Sequence, residues 1–133
     1  MIDKENEIFT RVKEQIVAQY PDAVVDSSYQ SVPSGFPHVS LYQNDAFTPD
    51  NMLDSAYLPK YVSIGFTAQV YSNKTKGKKQ ECKKIMGIIA DTMARMNFRM
   101  IMLTPVPNLN DSSIYRLSAQ FEGMADADGF YGR

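Results

Sequence analysis

The stretch at residues 61–71 (YVSIGFTAQVY) most tightly constrains what this chain can fold into. Val62, Ile64, Phe66, Ala68 and Val70 fall on one side of an extended chain, and Ser63, Gly65, Thr67 and Gln69 fall on the other. Period-two alternation of this length predicts a strand with one strongly apolar face, and that face has to be covered. Two stretches have the helical period needed to cover it. Residues 3–20 repeat Ile8, Val12 and Ile16 every four positions, and Phe9, Val17 and Tyr20 widen the stripe. Asp3 is placed to cap this helix, Glu5 and Glu7 suit its positive end, and Pro21 stops it. Residues 78–97 put Cys82, Ile85, Met86, Ile89, Met93 and Met96 on one face of a second helix.

Shorter strands complete the sheet. Residues 23–29 carry Val24 and Val25, and Pro33, Gly35 and Pro37 then mark a turn. Residues 38–43 alternate Val39 and Leu41 with Ser40 and Tyr42. Residues 98–104 form a strand closed by Pro105 and Pro107; Met100 and Met102 there are read as core. Residues 113–123 point Tyr115, Leu117, Ala119 and Phe121 inward, and Arg116, Ser118, Gln120 and Glu122 outward. Residues 72–79 (SNKTKGKK) are a basic turn, and residues 108–112 (NLNDS) have turn chemistry. Residues 44–60, with Pro49 and Pro59 and no period, are expected to be a long loop or an extended hairpin tip, and residues 124–133 a loose tail. The expectation is a single α+β domain over residues 1–133. Its sheet is mostly antiparallel, two α-helices pack on one face, and the other face is half polar.

The composition fits a globular domain able to bury a real core: 133 residues, 44% hydrophobic and 22% charged. A formal net charge of −1 gives no global attraction to nucleic acid or to a membrane. The charge is nevertheless blocked along the chain. Residues 1–59 hold nine acids and three bases, residues 60–100 nine bases and two acids, and residues 101–133 four acids and two bases. Blocks of opposite sign attract copies of a chain head to tail if they form separate patches, and cancel if they mix in space. The lone Cys82 allows no internal disulfide, as is usual in a reducing cytoplasm, and no secretory leader or bilayer-spanning apolar run is expected.

Candidate chemistry is sparse. His38 is the only histidine, so it is the only ordinary base for a Ser or Cys nucleophile. It is expected at the surface, while Cys82 lies on the apolar stripe of a helix as a small core residue. One His and one Cys do not make a structural zinc site. Residues 126–129 (DADG) open like a calcium loop but lack its closing glutamate, so a solvated acidic tail is the expectation. Residues 76–79 (KGKK) lack phosphate-loop spacing. With Lys83 and Lys84 they form a modest basic patch without interleaved aromatics, which suits at most a non-specific DNA contact. Asp45, Asp50 and Asp54 are loop carboxylates with nothing to mark an acid–base pair. The expectation is a protein that is not an enzyme and takes no metal or cofactor. An enzyme or small-molecule-binding module with a pocket hidden from periodicity is the rival reading.

Several segments resemble small proteins of the head–tail joining region of long-tailed bacteriophages and prophages of Gram-positive bacteria. They are residues 2–7 (IDKENE) with 20–23 (YPDA), 36–41 (FPHVSL), 70–74 (VYSNK) leading into 78–83 (KKQECK), and 104–111 (TPVPNLND) with 114–116 (IYR). Members of that family are often labelled only as minor capsid proteins. The resemblance implies a tail-terminator or tail-completion protein: a virion structural protein made in the host cytoplasm. Its partners would be copies of itself in a ring of six, the tail-tube protein and the neck or connector protein, with no membrane. A neck or head-closure adaptor and a tail-tube subunit are the neighbouring roles. The candidate contact residues lie in three places: Asp45, Phe47, Asp50, Asp54 and Tyr57 in the long loop, Lys74, Lys76, Lys78 and Lys79 in the basic turn, and Phe130, Tyr131 and Arg133 in the tail.

Overall fold

The alternating stretch becomes a central strand of a six-stranded sheet. The computed structural model describes residues 4–27, 35–47, 62–106, 113–125 and 130–131. In chain order these form α1 (Glu5–Gln19), β1 (Val24–Asp26), β2 (His38–Phe47), β3 (Val62–Ser72), α2 (Lys78–Arg95), β4 (Arg99–Pro105), β5 (Tyr115–Ala125) and β6 (Phe130–Tyr131). The sheet order is β1-β2-β3-β5-β4. Among the described strands, only the β1–β2 pair is parallel. Both helices contact each other; α1 packs toward β2, and α2 packs across β3, β5 and β4. The α+β architecture expected from the sequence is therefore the one observed.

Register explains the core. Val39, Leu41, Phe66, Ala68, Val70, Leu117, Ala119 and Phe121 share the helix-covered face and are buried with Ile8, Val12 and Ile16 of α1 and Cys82, Ile85, Met86, Ile89 and Met93 of α2. Each large side chain of this set contributes about 1.5–3 kcal/mol by leaving water. The α1 stripe is narrower than its pattern, because Val17 remains 36% exposed. Lys4 occupies the position before the first turn without a side-chain cap, and Asp3 lies outside the described residues. Glu5 instead ties the helix to the sheet by accepting a hydrogen bond from the Gln43 N–H (3.0 Å).

The end of α2 is set by Asn97 (φ 64°). In that left-handed conformation the Phe98 N–H reaches back to Met93 O (2.9 Å) and the Asn97 N–H to Ala94 O (2.9 Å), the paired bonds of a Schellman motif. The chain turns sharply enough to lay the Phe98 ring flat on Gly123 of β5. A Cβ at position 123 would lie 2.7 Å from Phe98 Cγ.

Several expectations change. β2 runs on to Phe47, so residues 44–47 belong to a strand rather than to the long loop; a register shift between Gln43 and Asp45 marks where the pairing slips. The expected loose tail begins inside β5, which extends to Ala125, and Phe130 and Tyr131 return to pair with it. The outer face of the sheet is polar but not open. Ser40, Ser63, Thr67, Gln69, Tyr71 and Ser118 are all buried, as is His38, which was expected at the surface. Met100 and Met102 move the other way, from expected core to exposed surface.

Candidate assembly surfaces at the two ends of the sheet

The buried polar face is a hydrogen-bonded layer. Gln69 donates from Nε2 to Tyr42 Oη (2.8 Å), and its Oε1 accepts from Tyr71 Oη (3.5 Å) and from Arg116 Nε. The Arg116 guanidinium also stacks over the Tyr71 ring at 5.6 Å. Thr67 donates to Asn44, the residue left over where β2 slips register. Cross-strand pairing thus satisfies polar groups that would otherwise cost several kcal/mol each.

His38 ends this layer. Its Nε2 lies 3.3 Å from Ser40 Oγ, and its ring meets Tyr71 edge-on at 5.6 Å. Burial lowers its pKa, an effect partly opposed by the Asp26 carboxylate, so the ring is neutral at pH 7. The couple has the atoms of a nucleophile and base but not the setting. Ser40 is fully buried, and His38 Nδ1 is buried without a hydrogen-bond partner, where an oriented base would hold an acceptor. Cys82 lies on the opposite face of the sheet, its thiol 3.6 Å from the Val70 and Tyr115 carbonyls. Burial, reinforced by Glu81, pushes that thiol up to about 12, far from thiolate reactivity.

Among the described residues, the exposed large apolar side chains lie toward the two ends of the sheet. At one end, β4 is an edge strand. Met100, Ile101, Met102 and Leu103 are consecutive and 36–50% exposed. Pairing to β5 skips Ile101, so Met100 opposite Phe121 and Leu103 opposite Ala119 face the helix side, while Met102 opposite Gln120 faces away. The strand is thus apolar on both faces. Met100 and Leu103 line a groove of about 240 Å³ against Met86, Ala90 and Lys83 of α2. At the other end, the outer side of α1 opens as a shallow concavity of about 570 Å³, lined by Phe9, Lys13, Glu14, Val17 and Ala18. Beside it runs β1, with Val24 37% exposed. A smaller hollow joins Phe9 and Glu5 to Ser27 just past β1, which places the α1 concavity on the β1 side.

The charge blocks follow the same axis. Residues 4–27 and 35–47, which build α1, β1 and β2, hold six acids and three bases. Residues 73–106, which build α2 and β4 with the turn before them, hold eight bases and two acids. Among the described residues, α1 with β1–β2 lies toward one end of the strand order and β5–β4 toward the other, while α2 lies across β3, β5 and β4 and touches α1, so the acidic and basic segments lean to opposite sides.

The sequence-derived contact residues scatter across this frame. Lys74, Lys76 and Lys79 are exposed around the start of α2, on the basic side; Lys78 is half-buried and donates from Nζ to Ser113 O (3.0 Å). Asp45 and Phe47 belong to β2. Phe130 packs edge-on against Phe98 at 5.8 Å, with Lys4 and Arg11 over its ring at 5.7 and 5.5 Å, so it is an internal clasp rather than a free tail residue. Tyr131 pairs with Met124 through the backbone. Asp50, Asp54, Tyr57 and Arg133, and the acidic run at residues 126–129, lie outside the described residues. The β4 strip was read as core because four apolar residues run consecutively there; its place at the sheet edge exposes it.

Among the described residues, no three of His, Cys, Asp and Glu come together as a metal site requires, and no helix is long and apolar enough to cross a membrane. No protein-family model matches the chain, and neither does any curated protein.

Proposed function

We propose that this chain is a non-enzymatic structural subunit of a long-tailed bacteriophage. In this reading it closes into a ring that caps the tail tube and takes part in head–tail joining. The observation that carries the self-assembly is the end-to-end polarity of the fold: an apolar, base-flanked strand edge at one end and an acidic end with an apolar concavity at the other. A unit with two different, complementary ends builds rings or filaments rather than symmetric pairs. The segment resemblance, spread from residue 2 to residue 116, supplies the phage-tail context. The α+β fold with two helices on one sheet face is the one that resemblance implies, although a fold alone hosts many roles.

The test is localisation. Gold-labelled antibody against the chain, applied to purified virions of the phage that encodes it, is expected to mark the head–tail junction and nowhere else. Label along the whole tail would instead identify a tube subunit. Virions that lack the chain altogether would remove the structural reading.

A further inference from the structure

The exposed β4 strip needs an occupant. A strand apolar on both faces belongs in the interior of a sheet with both faces covered, yet β4 ends this one. Its four exposed side chains present roughly 300 Å² of apolar surface, the size of a patch that on a monomer usually has a function. Arg99 and its ion-pair partner Glu122 (3.6 Å) sit at the start of the strip, and Lys83 rims the groove beside it.

We infer that β4 of one copy seats in the α1 concavity of the next, beside β1, so that copies join head to tail through opposite ends of the sheet. The inference rests on the reading that the chain assembles with itself, and it names the surfaces. Three observations select this occupant. The concavity at the acid end offers Phe9, Val17 and Ala18 as an apolar seat, with Val24 exposed alongside. The segments that carry the two surfaces differ in net charge, six acids to three bases against eight bases to two acids, and locally Lys83 rims the β4 groove while the concavity is lined by Glu14 as well as Lys13. The alternative, two β4 edges pairing symmetrically, would set one base-rich α2 beside another, and like charges brought together disfavour that pairing. The skipped Ile101 also interrupts the regular edge, which favours seating side chains over extending a backbone ladder.

The patch is well below the ~800 Å² per partner of a stable isolated interface. One joint alone is therefore weak. A closed ring gives every copy two joints, so assembly is expected to be cooperative and to sharpen on a template.

Cysteine cross-linking of the full chain tests this. Leu103→Cys and Val17→Cys both replace exposed side chains, and buried Cys82, with its thiol pushed up to about 12, does not compete. Under mild oxidation an equimolar mixture of the two variants is expected to give disulfide-linked dimers, while neither variant alone does. A chain carrying both substitutions is expected to give a ladder. In the mixture, Lys83→Glu with Lys84→Glu on the Leu103→Cys partner should slow cross-linking several-fold, and Glu14→Lys on the Val17→Cys partner should restore it. Dimers from Leu103→Cys alone would overturn the head-to-tail joint in favour of symmetric β4 pairing. No cross-link in the mixture, with rings of the unsubstituted chain visible by electron microscopy, would overturn these surfaces and leave self-assembly standing. No cross-link and no assembly at the highest attainable concentration would overturn both.

Discussion

Replacing Gly123 with alanine tests how the second helix is joined to the sheet. The Phe98 ring lies flat on Gly123, and a Cβ there would sit 2.7 Å from Cγ and 2.8 Å from both Cδ atoms. Carbon atoms rest about 3.5–4.0 Å apart, so ring and strand must separate by about 1 Å. Neither moves freely. Phe98 is 3% exposed and braced by Phe130, and Gly123 is paired with Ile64 across β3. Overpacking of this kind costs about 1–3 kcal/mol. Alanine returns about 0.4–1 kcal/mol by restricting the unfolded chain. The net expectation is a loss of about 1–2 kcal/mol, or about 3–10 °C in Tm for a domain of this size. Urea unfolding followed by circular dichroism measures it, with the slope expected to stay unchanged. The cost comes from the Phe98 ring, so a double-mutant cycle isolates it. In a Phe98→Leu background the Gly123→Ala cost should fall below about 0.5 kcal/mol or change sign. An equal cost in both backgrounds, or stabilisation of the wild-type chain, would refute it.

Three further outcomes follow from buried and strained groups. His38 has a folded pKa below its unfolded value of 6.5, so the unfolded chain takes up the proton first. Its contribution is complete above pH 6.5 and is lost as pH falls from there toward the folded pKa; His38→Gln should remove that part of the slope in urea midpoints measured from about pH 7.5 to about pH 5.5. Cys82, pushed up to about 12 and fully buried, should resist a thiol reagent at mildly alkaline pH in the native chain and react at once in urea; rapid native labelling would contradict its placement. At Asn97 (φ 64°), glycine should be neutral or slightly stabilising, whereas Asn97→Val should cost about 1 kcal/mol or more in thermal melts.

The helices, the central strand and the core stripe were legible in the sequence because their periods are set by one buried face. Ile8, Val12 and Ile16 on α1 and Val62 to Val70 on β3 behave as their spacing dictates. What the pattern could not carry was neighbour identity. Met100 and Leu103 have the composition of a core strand and are exposed because, among the described strands, β5 alone lies beside them. Gln69 is polar and yet buried because Tyr42 across the strand pair accepts from it, and His38 is buried beside Ser40 of its own strand, with Nδ1 unpartnered. Residues 44–47 read as loop since the slip between Gln43 and Asp45 breaks the alternation, and β6 is too short to show a period. The charge blocks were visible in the sequence, but the lean of their described parts toward opposite sides depends on the strand order, with β1–β2 at one side and β4 at the other.

Electron microscopy of lysates from the parent phage with this gene deleted tests the proposed role most directly. Full heads lying beside unattached tails of abnormal, extended length are expected, since a tube without its cap continues to grow. Intact, infectious particles from the deletion would contradict the account.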